Sequence, residues 1–172
     1  MTSTAEPTGT VDIALAHTQR LLRNDPGLAA EQAGEILKVA PNHPLATLLL
    51  GTARRLRGDA AGALQVLEPL SAAQPNWAAA HYEWGVALGD AGRPEAALAA
   101  LRRAVALKPN LPDAWRAIAD HLLLTGDTQG ADAAYAQHIK ASTQDPRLLN
   151  PALAFAGKSA EIHHLRFLDG CR

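Results

Sequence analysis

The sequence predicts an all-α protein, a solenoid built by stacking antiparallel helix pairs. Three observations carry that expectation. Apolar residues make up 48% of the 172 residues but aromatics only 4%, and alanine, the strongest helix former, supplies much of the apolar total. Turn signals rich in Pro, Gly, Asn and Asp recur at regular intervals between the apolar runs. Finally, the chain is self-similar at a period of 34 residues, as Ala29, Ala63, Ala97 and Ala131 show. The same spacing holds for Pro41, Pro75 and Pro109, each followed by asparagine, and for Gly58, Gly92 and Gly126. It also holds for Gly51, Gly85 and Ala119, and for Leu67, Leu101 and Tyr135. Five independent columns in one register are not coincidence.

Taken in order, residues 1–9 hold little to bury and are expected to be a disordered tail. Order is expected from about Val11. Val11, Ala14, Leu15, Leu21 and Leu22 fit one amphipathic helix, Asn24-Asp25-Pro26-Gly27 makes a turn, and Leu28 to Val39 gives the second helix of a degenerate unit, 10–43. Units 44–77, 78–111 and 112–145 follow, each a helix pair. The middle one is the best preserved. Its first helix ends around Gly89-Asp90-Ala91-Gly92; its second starts near Pro94, where a fixed φ suits a first turn, and stops before Pro109, which disfavours helix in the residue before it.

Each column has a physical reason. Glycine mid-helix costs roughly 0.5–1 kcal/mol relative to alanine, so Gly51, Gly85 and Ala119 imply close approach of a neighbouring helix. Leu50, Trp84 and Ile118 precede them as the bulk beside that contact, and Ala63, Ala97 and Ala131 provide the small surface on the second helices. Gly58, Gly92 and Gly126 supply the backbone freedom that ends each first helix.

These columns resemble the tetratricopeptide repeat, whose pattern is Trp-x2-Leu-Gly-x2-Tyr, then Ala-x3-Phe, then Pro. The pattern stands here as His81-x2-Trp84-Gly85-x2-Leu88, Ala97-x3-Leu101 and Pro109. The next copy runs Trp115-x2-Ile118-Ala119-x2-Leu122 and Ala131-x3-Tyr135, with Thr143 in place of the proline; the preceding copy runs Thr47-x2-Leu50-Gly51-x2-Arg54, Ala63-x3-Leu67 and Pro75. Residues 10–43 match only through Ala29 and Pro41. The resemblance spans roughly 10–145 and implies a right-handed superhelical solenoid of about four units.

Past Asp145 the period fails. Leu148, Leu149, Leu153 and Phe155, then Ile162, Leu165 and Leu168, are apolar enough to pack, so 146–172 is expected to supply capping helices and a tail. The abrupt ending at Arg172 leaves open that this is the front part of a longer repeat protein.

The resemblance also implies that first helices line a concave groove. Helical spacing then places Leu45, Leu48, Thr52 and Arg55 on its face from the second unit, Tyr82, Val86 and Asp90 from the third, and Asp113, Arg116, Asp120 and Leu123 from the fourth. That mixed surface suits a protein or peptide carrying apolar and charged groups, although each residue could instead pack between repeats or face solvent. An acidic C-terminal peptide of the kind chaperones present to such grooves would be repelled by Asp90, Asp113 and Asp120. A second set, Arg20, Arg23, Arg54, Arg55 and Arg57, falls near the C-terminal ends of two successive first helices, with Arg20/Arg54 and Arg23/Arg57 one period apart. Stacking would align them into an edge for phosphate, sulfate or carboxylate, or they serve only to complement the helix dipoles.

Other functions are excluded or unsupported. A formal charge of −1 with interspersed signs lacks the basic face of a nucleic-acid binder. The lone Cys171 allows neither an intramolecular disulfide framework nor a thiolate cluster, and adjacent His163-His164 diverge on a helix rather than forming an i, i+4 metal pair. His17, His81 and His121 lie on first helices without a paired carboxylate, and His138 stands where the preceding unit keeps Ala104, so it should perturb that packing. No Ser–His–Asp order, phosphate loop or Cys-x-x-Cys occurs, and no cofactor, metal or catalysis is expected. There is no signal-peptide pattern and no apolar run near the ~20 residues of a membrane span, so the simplest address is the cytoplasm.

The expected function is therefore a non-catalytic interaction module. The alternative is the N-terminal repeat region of a larger bacterial enzyme, since Ala114 to Ser142 more loosely resembles that part of tetratricopeptide–sulfotransferase fusion proteins. The Leu-rich C-terminal segment could also pair two solenoids into a homo-oligomer.

Overall fold

The computed structural model describes residues 8–143, with side chains from Val11 onward; the tail 1–7 and the expected capping segment 146–172, Cys171 included, lie outside the described residues. Eight helices make up the described chain, with no strand among them. They pair as α1 Thr8–Asn24 with α2 Pro26–Val39, α3 Pro44–Leu56 with α4 Ala60–Ala73, α5 Ala78–Asp90 with α6 Pro94–Leu107, and α7 Pro112–Leu124 with α8 Thr128–Thr143. Successive first helices touch, α1 to α3, α3 to α5 and α5 to α7, whereas no two second helices come together among the described residues. The stack therefore curves with its first helices inside. This is the expected all-α solenoid of antiparallel helix pairs.

Two boundaries differ from the sequence reading. Helix α1 starts at Thr8, and α2 starts at Pro26 rather than Leu28 because Asp25 is its N-cap, accepting from the Leu28 amide at 3.0 Å, with proline at the first turn. The same cap returns one and three periods later: Asp59 accepts from Gly62 N at 2.8 Å and Asp127 from Gly130 N at 2.9 Å. Where the proline column ends in Thr143, α8 runs on to 16 residues, against 14 for α4 and α6.

Within each pair the small-residue column meets the large one. A Cβ on Gly51 would lie 2.5 Å from Leu67, and one on Gly85 would lie 2.8 Å from Leu101, so glycine is what lets α3 meet α4 and α5 meet α6. Leu67, Leu101 and the alanines 29, 63, 97 and 131 are completely buried. In the fourth pair Ala119 is in that place, and its partner Tyr135 is only half-buried, sending its hydroxyl out to Asp120 at 2.5 Å. Gly58, Gly92 and Gly126 take left-handed φ values of 82°, 72° and 84°, a turn that a side chain would strain.

Between pairs, side chains peg the next first helix to the preceding turn. His81 Nε2 donates to the Pro75 carbonyl at 3.0 Å, and Trp115, one period on, donates through Nε1 to the Pro109 carbonyl at 2.9 Å. Within the fourth pair His138 makes a similar peg, its Nδ1 donating to the Pro112 carbonyl at 2.8 Å and tying α8 to the start of α7. No described helix is long and apolar enough to cross a membrane.

Candidate functional site

The seam between the second and third pairs is filled on both faces. On the concave side Arg55 of α3 reaches across to Glu83 of α5, with Nε and Nη2 each 3.3 Å from Oε2, and its Nη1 lies 3.7 Å from Asp90. Both members of the pair are largely buried, at 16% and 15% side-chain exposure. Burial pushes the Glu83 carboxyl above its usual 4.5, and the Arg55 guanidinium opposes that rise. On the convex side Trp84 packs against Leu64 of α4 and against Leu88, Ala97 and Ala100 of the third pair.

One period later the same columns carry smaller groups. Gly89 stands where Arg55 stood, Ala117 where Glu83 stood, and Ile118 where Trp84 stood. Both faces of the seam between the third and fourth pairs are consequently hollow. The concave side holds a cleft of about 340 Å3 lined by Arg55, Tyr82, Val86, Asp90, Asp113, Arg116, Ala117, Asp120 and His121. The convex side holds an apolar groove of about 570 Å3 that includes Val105, Trp115, Ile118 and Ala134. Gly89 gives up its side-chain space to His121, whose imidazole occupies the place a Cβ there would need.

The cleft has an apolar floor and a charged rim. Tyr82 and Val86 pack onto the α7 core around Ala114 and Ile118. Burial, and then the negative charges of Glu83 and Asp113, push the Tyr82 hydroxyl up to about 12, so it stays a neutral donor at ordinary pH. On the rim Arg116 lies 3.8 Å from Asp113, both well exposed. Asp120 accepts from the Tyr135 hydroxyl, and this bond raises the tyrosine's pKa.

Of the residues expected in the groove, Arg55, Tyr82, Val86, Asp90, Arg116 and Asp120 come together in this cleft, with Asp113 among them. Leu48 and Thr52 do not. Leu48 is buried in the core with Leu67 and Leu70, and Thr52 is buried with its hydroxyl donating to the Leu48 carbonyl at 2.9 Å. Leu123 is exposed but lies outside the cleft lining. Three lining or supporting residues fall outside the expected set: Glu83, Ala117 and His121. The signal for Glu83 was available, an acid in a column that otherwise holds Leu49 and Ala117.

The arginine edge is dispersed in the structure. Arg54 donates to the Gly62 carbonyl at 3.0 Å, tying α3 to the start of α4, and Arg20 donates to the Ala16 carbonyl of its own helix at 3.3 Å. Arg55 is the Glu83 partner, while Arg23 and Arg57 are exposed.

Residues 20–78 and 82–146 match the tetratricopeptide repeat profile, and the chain belongs to that family. Among solved structures it is similar to MamA 41-end from Desulfovibrio magneticus RS-1, at 24% identity and TM-score 0.68 over 78% of this chain and 77% of that one. A crystal structure of MamA matches at 18% identity and TM-score 0.67, over 80% and 81% of the two chains. These likenesses establish the fold. No curated protein matches the sequence.

Proposed function

We propose, from membership of the tetratricopeptide repeat family, that this chain is a non-catalytic module that binds a protein or peptide segment in its concave cleft between α5 and α7. The observation that carries the reading is the exchange of Arg55 and Glu83 for Gly89 and Ala117, which opens the concave face at the seam between the third and fourth pairs. Its volume of about 340 Å3 falls within the range of about 300–1,000 Å3 typical of binding pockets, and its lining sets a small floor of Tyr82, Val86 and Ala117 among charged side chains, which suits a polar segment of a protein rather than an apolar small molecule. The alternative, that the chain is the N-terminal repeat region of a larger sulfotransferase-like enzyme, is equally compatible with 114–142 forming the repeat helices α7 and α8 and gains nothing specific from them.

A photo-crosslinking residue placed at Arg116, on the cleft rim, should give a discrete adduct in cells expressing the protein. One at Arg102, on the convex groove, should not. The Arg116 adduct should disappear when Ala117→Phe plugs the cleft, at an unchanged melting temperature. Adducts from position 102 alone would show that the concave reading is wrong.

A further inference from the structure

The concave cleft is charged unevenly. Three carboxylates, Asp90, Asp113 and Asp120, line it with two guanidiniums, Arg55 and Arg116, and Glu83 adds a further carboxylate against Arg55 without lining the cleft. Arg55 lines the cleft and pairs with Glu83 at 3.3 Å and with Asp90 at 3.7 Å, so its one charge is divided between two carboxylates. Arg116 has Asp113 at 3.8 Å. Asp120 has no cation within ion-pair reach among the described residues, only the neutral Tyr135 hydroxyl. The floor under this rim is the Tyr82 ring with Val86 and Ala117. A long side chain that lays a hydrocarbon stem on an apolar floor while carrying a cation at its tip fits both features together, and a tyrosine face adds attraction for the cation. An anionic occupant would meet the excess negative charge, left uncompensated at Asp120, and a wholly apolar one would strip water from the carboxylates without replacing its hydrogen bonds.

We propose that the cleft receives a lysine or arginine of a protein partner, its stem against Tyr82, Val86 and Ala117 and its charged head among Asp90, Asp113 and Asp120. This inference rests on the concave reading above, and the test separates the two. The probe is a randomised 12-residue peptide library displayed on phage, selected against the full chain and counter-selected on Ala117→Phe. Enriched peptides are titrated by 15N chemical shift against the full chain and against Asp113→Asn/Asp120→Asn, which keeps the hydrogen-bond acceptors and removes the charge.

The expected result is peptides that move α5 and α7 amides and carry a lysine or arginine whose change to glutamine weakens binding at least tenfold. The double asparagine variant should lose the same factor, the two losses should not add, and affinity should fall as salt rises from 50 to 300 mM, as about 8–10 Å screening near physiological salt requires. Peptides that move α5 and α7 but carry no required base, or an acid, overturn the charge inference and leave the concave site standing. Peptides that move only α6 and α8, or no enrichment over the plugged variant, overturn both.

Discussion

Two successive seams of this solenoid share the repeat's helix placement, and three of the exchanges between them decide how full each one is. Between the second and third pairs, Arg55–Glu83 closes the concave face and Trp84 closes the convex one. Between the third and fourth, Gly89, Ala117 and Ile118 leave a hollow on each face. The 34-residue period is thus a rule for helix placement, while what fills the space between helices is free to vary from one copy to the next. A repeat array can therefore acquire a site by deleting bulk at one seam, with the other seam left to hold the stack together.

The largest effect that would break the comparison is at Trp84. Removing the indole takes away the contact shared by α4, α5 and α6, so Trp84→Ala should cost about 3 kcal/mol, at the low end for an aromatic-to-alanine change because the ring is partly exposed. Its buried Nε1 has no partner among the described residues, so Trp84→Phe should cost less than about 1.5 kcal/mol. Chemical denaturation of both variants checks the pair. A loss under about 1 kcal/mol for Trp84→Ala would mean that the filled seam is not what holds the middle of the stack.

Next in size is the ion pair on the opposite face. Arg55→Ala leaves Glu83 buried without its cation, which should cost about 2 kcal/mol at pH 7, less than for a fully buried pair because both side chains retain some exposure. The pH dependence has a definite sign. Burial already raises the Glu83 pKa, so the folded chain holds that proton more tightly than the unfolded chain does. The stabilisation tied to the bound proton is complete below the unfolded value of 4.5 and disappears as pH rises through the folded midpoint. Losing Arg55 moves that midpoint further up, so the destabilisation should be smaller at pH 4 than at pH 7. Equal losses at the two pH values would show that the arginine acts through packing alone.

Much of this was legible in the sequence, for a reason each column makes plain. Gly51 and Gly85 announce close helix approach because nothing else fits against Leu67 and Leu101, and Gly58, Gly92 and Gly126 announce turns because their φ is positive. The cleft was legible only in part. Helical spacing put Leu48, Thr52, Tyr82 and Asp120 on one kind of face, but spacing cannot say how closely the flanking first helices cover that face, and at Leu48 and Thr52 they cover it completely enough to bury both. Likewise, Arg54 and Arg57 look alike in the sequence, yet one guanidinium is tied to the Gly62 carbonyl and the other faces solvent. Glu83 stands out as the acid of its column, but its role depends on Arg55, 28 residues earlier on another helix, a spacing that no single-helix pattern reports.

The smallest expected effect sharpens the comparison from the other side. If the convex groove exists because Ile118 replaced a tryptophan, then Ile118→Trp should refill it. The added ring would lie along the apolar walls of Val105 and Ala134 without reopening the core, and should stabilise the chain by about 1 kcal/mol through the extra apolar area buried. Ile118 is itself 3% exposed, so the gain depends on the indole turning outward as Trp84 does, away from the packed Ala119–Tyr135 contact. A fluorescence-detected melting curve measures the shift. The 15N spectrum should change most along α6 and α8 and beside residue 118, with smaller changes at Asp90 and Asp113 of the concave cleft. A destabilised variant would mean that the seam is hollow for want of room for tryptophan rather than for want of tryptophan, and the pairing of a filled seam with an emptied one would then reflect helix spacing instead of side-chain exchange.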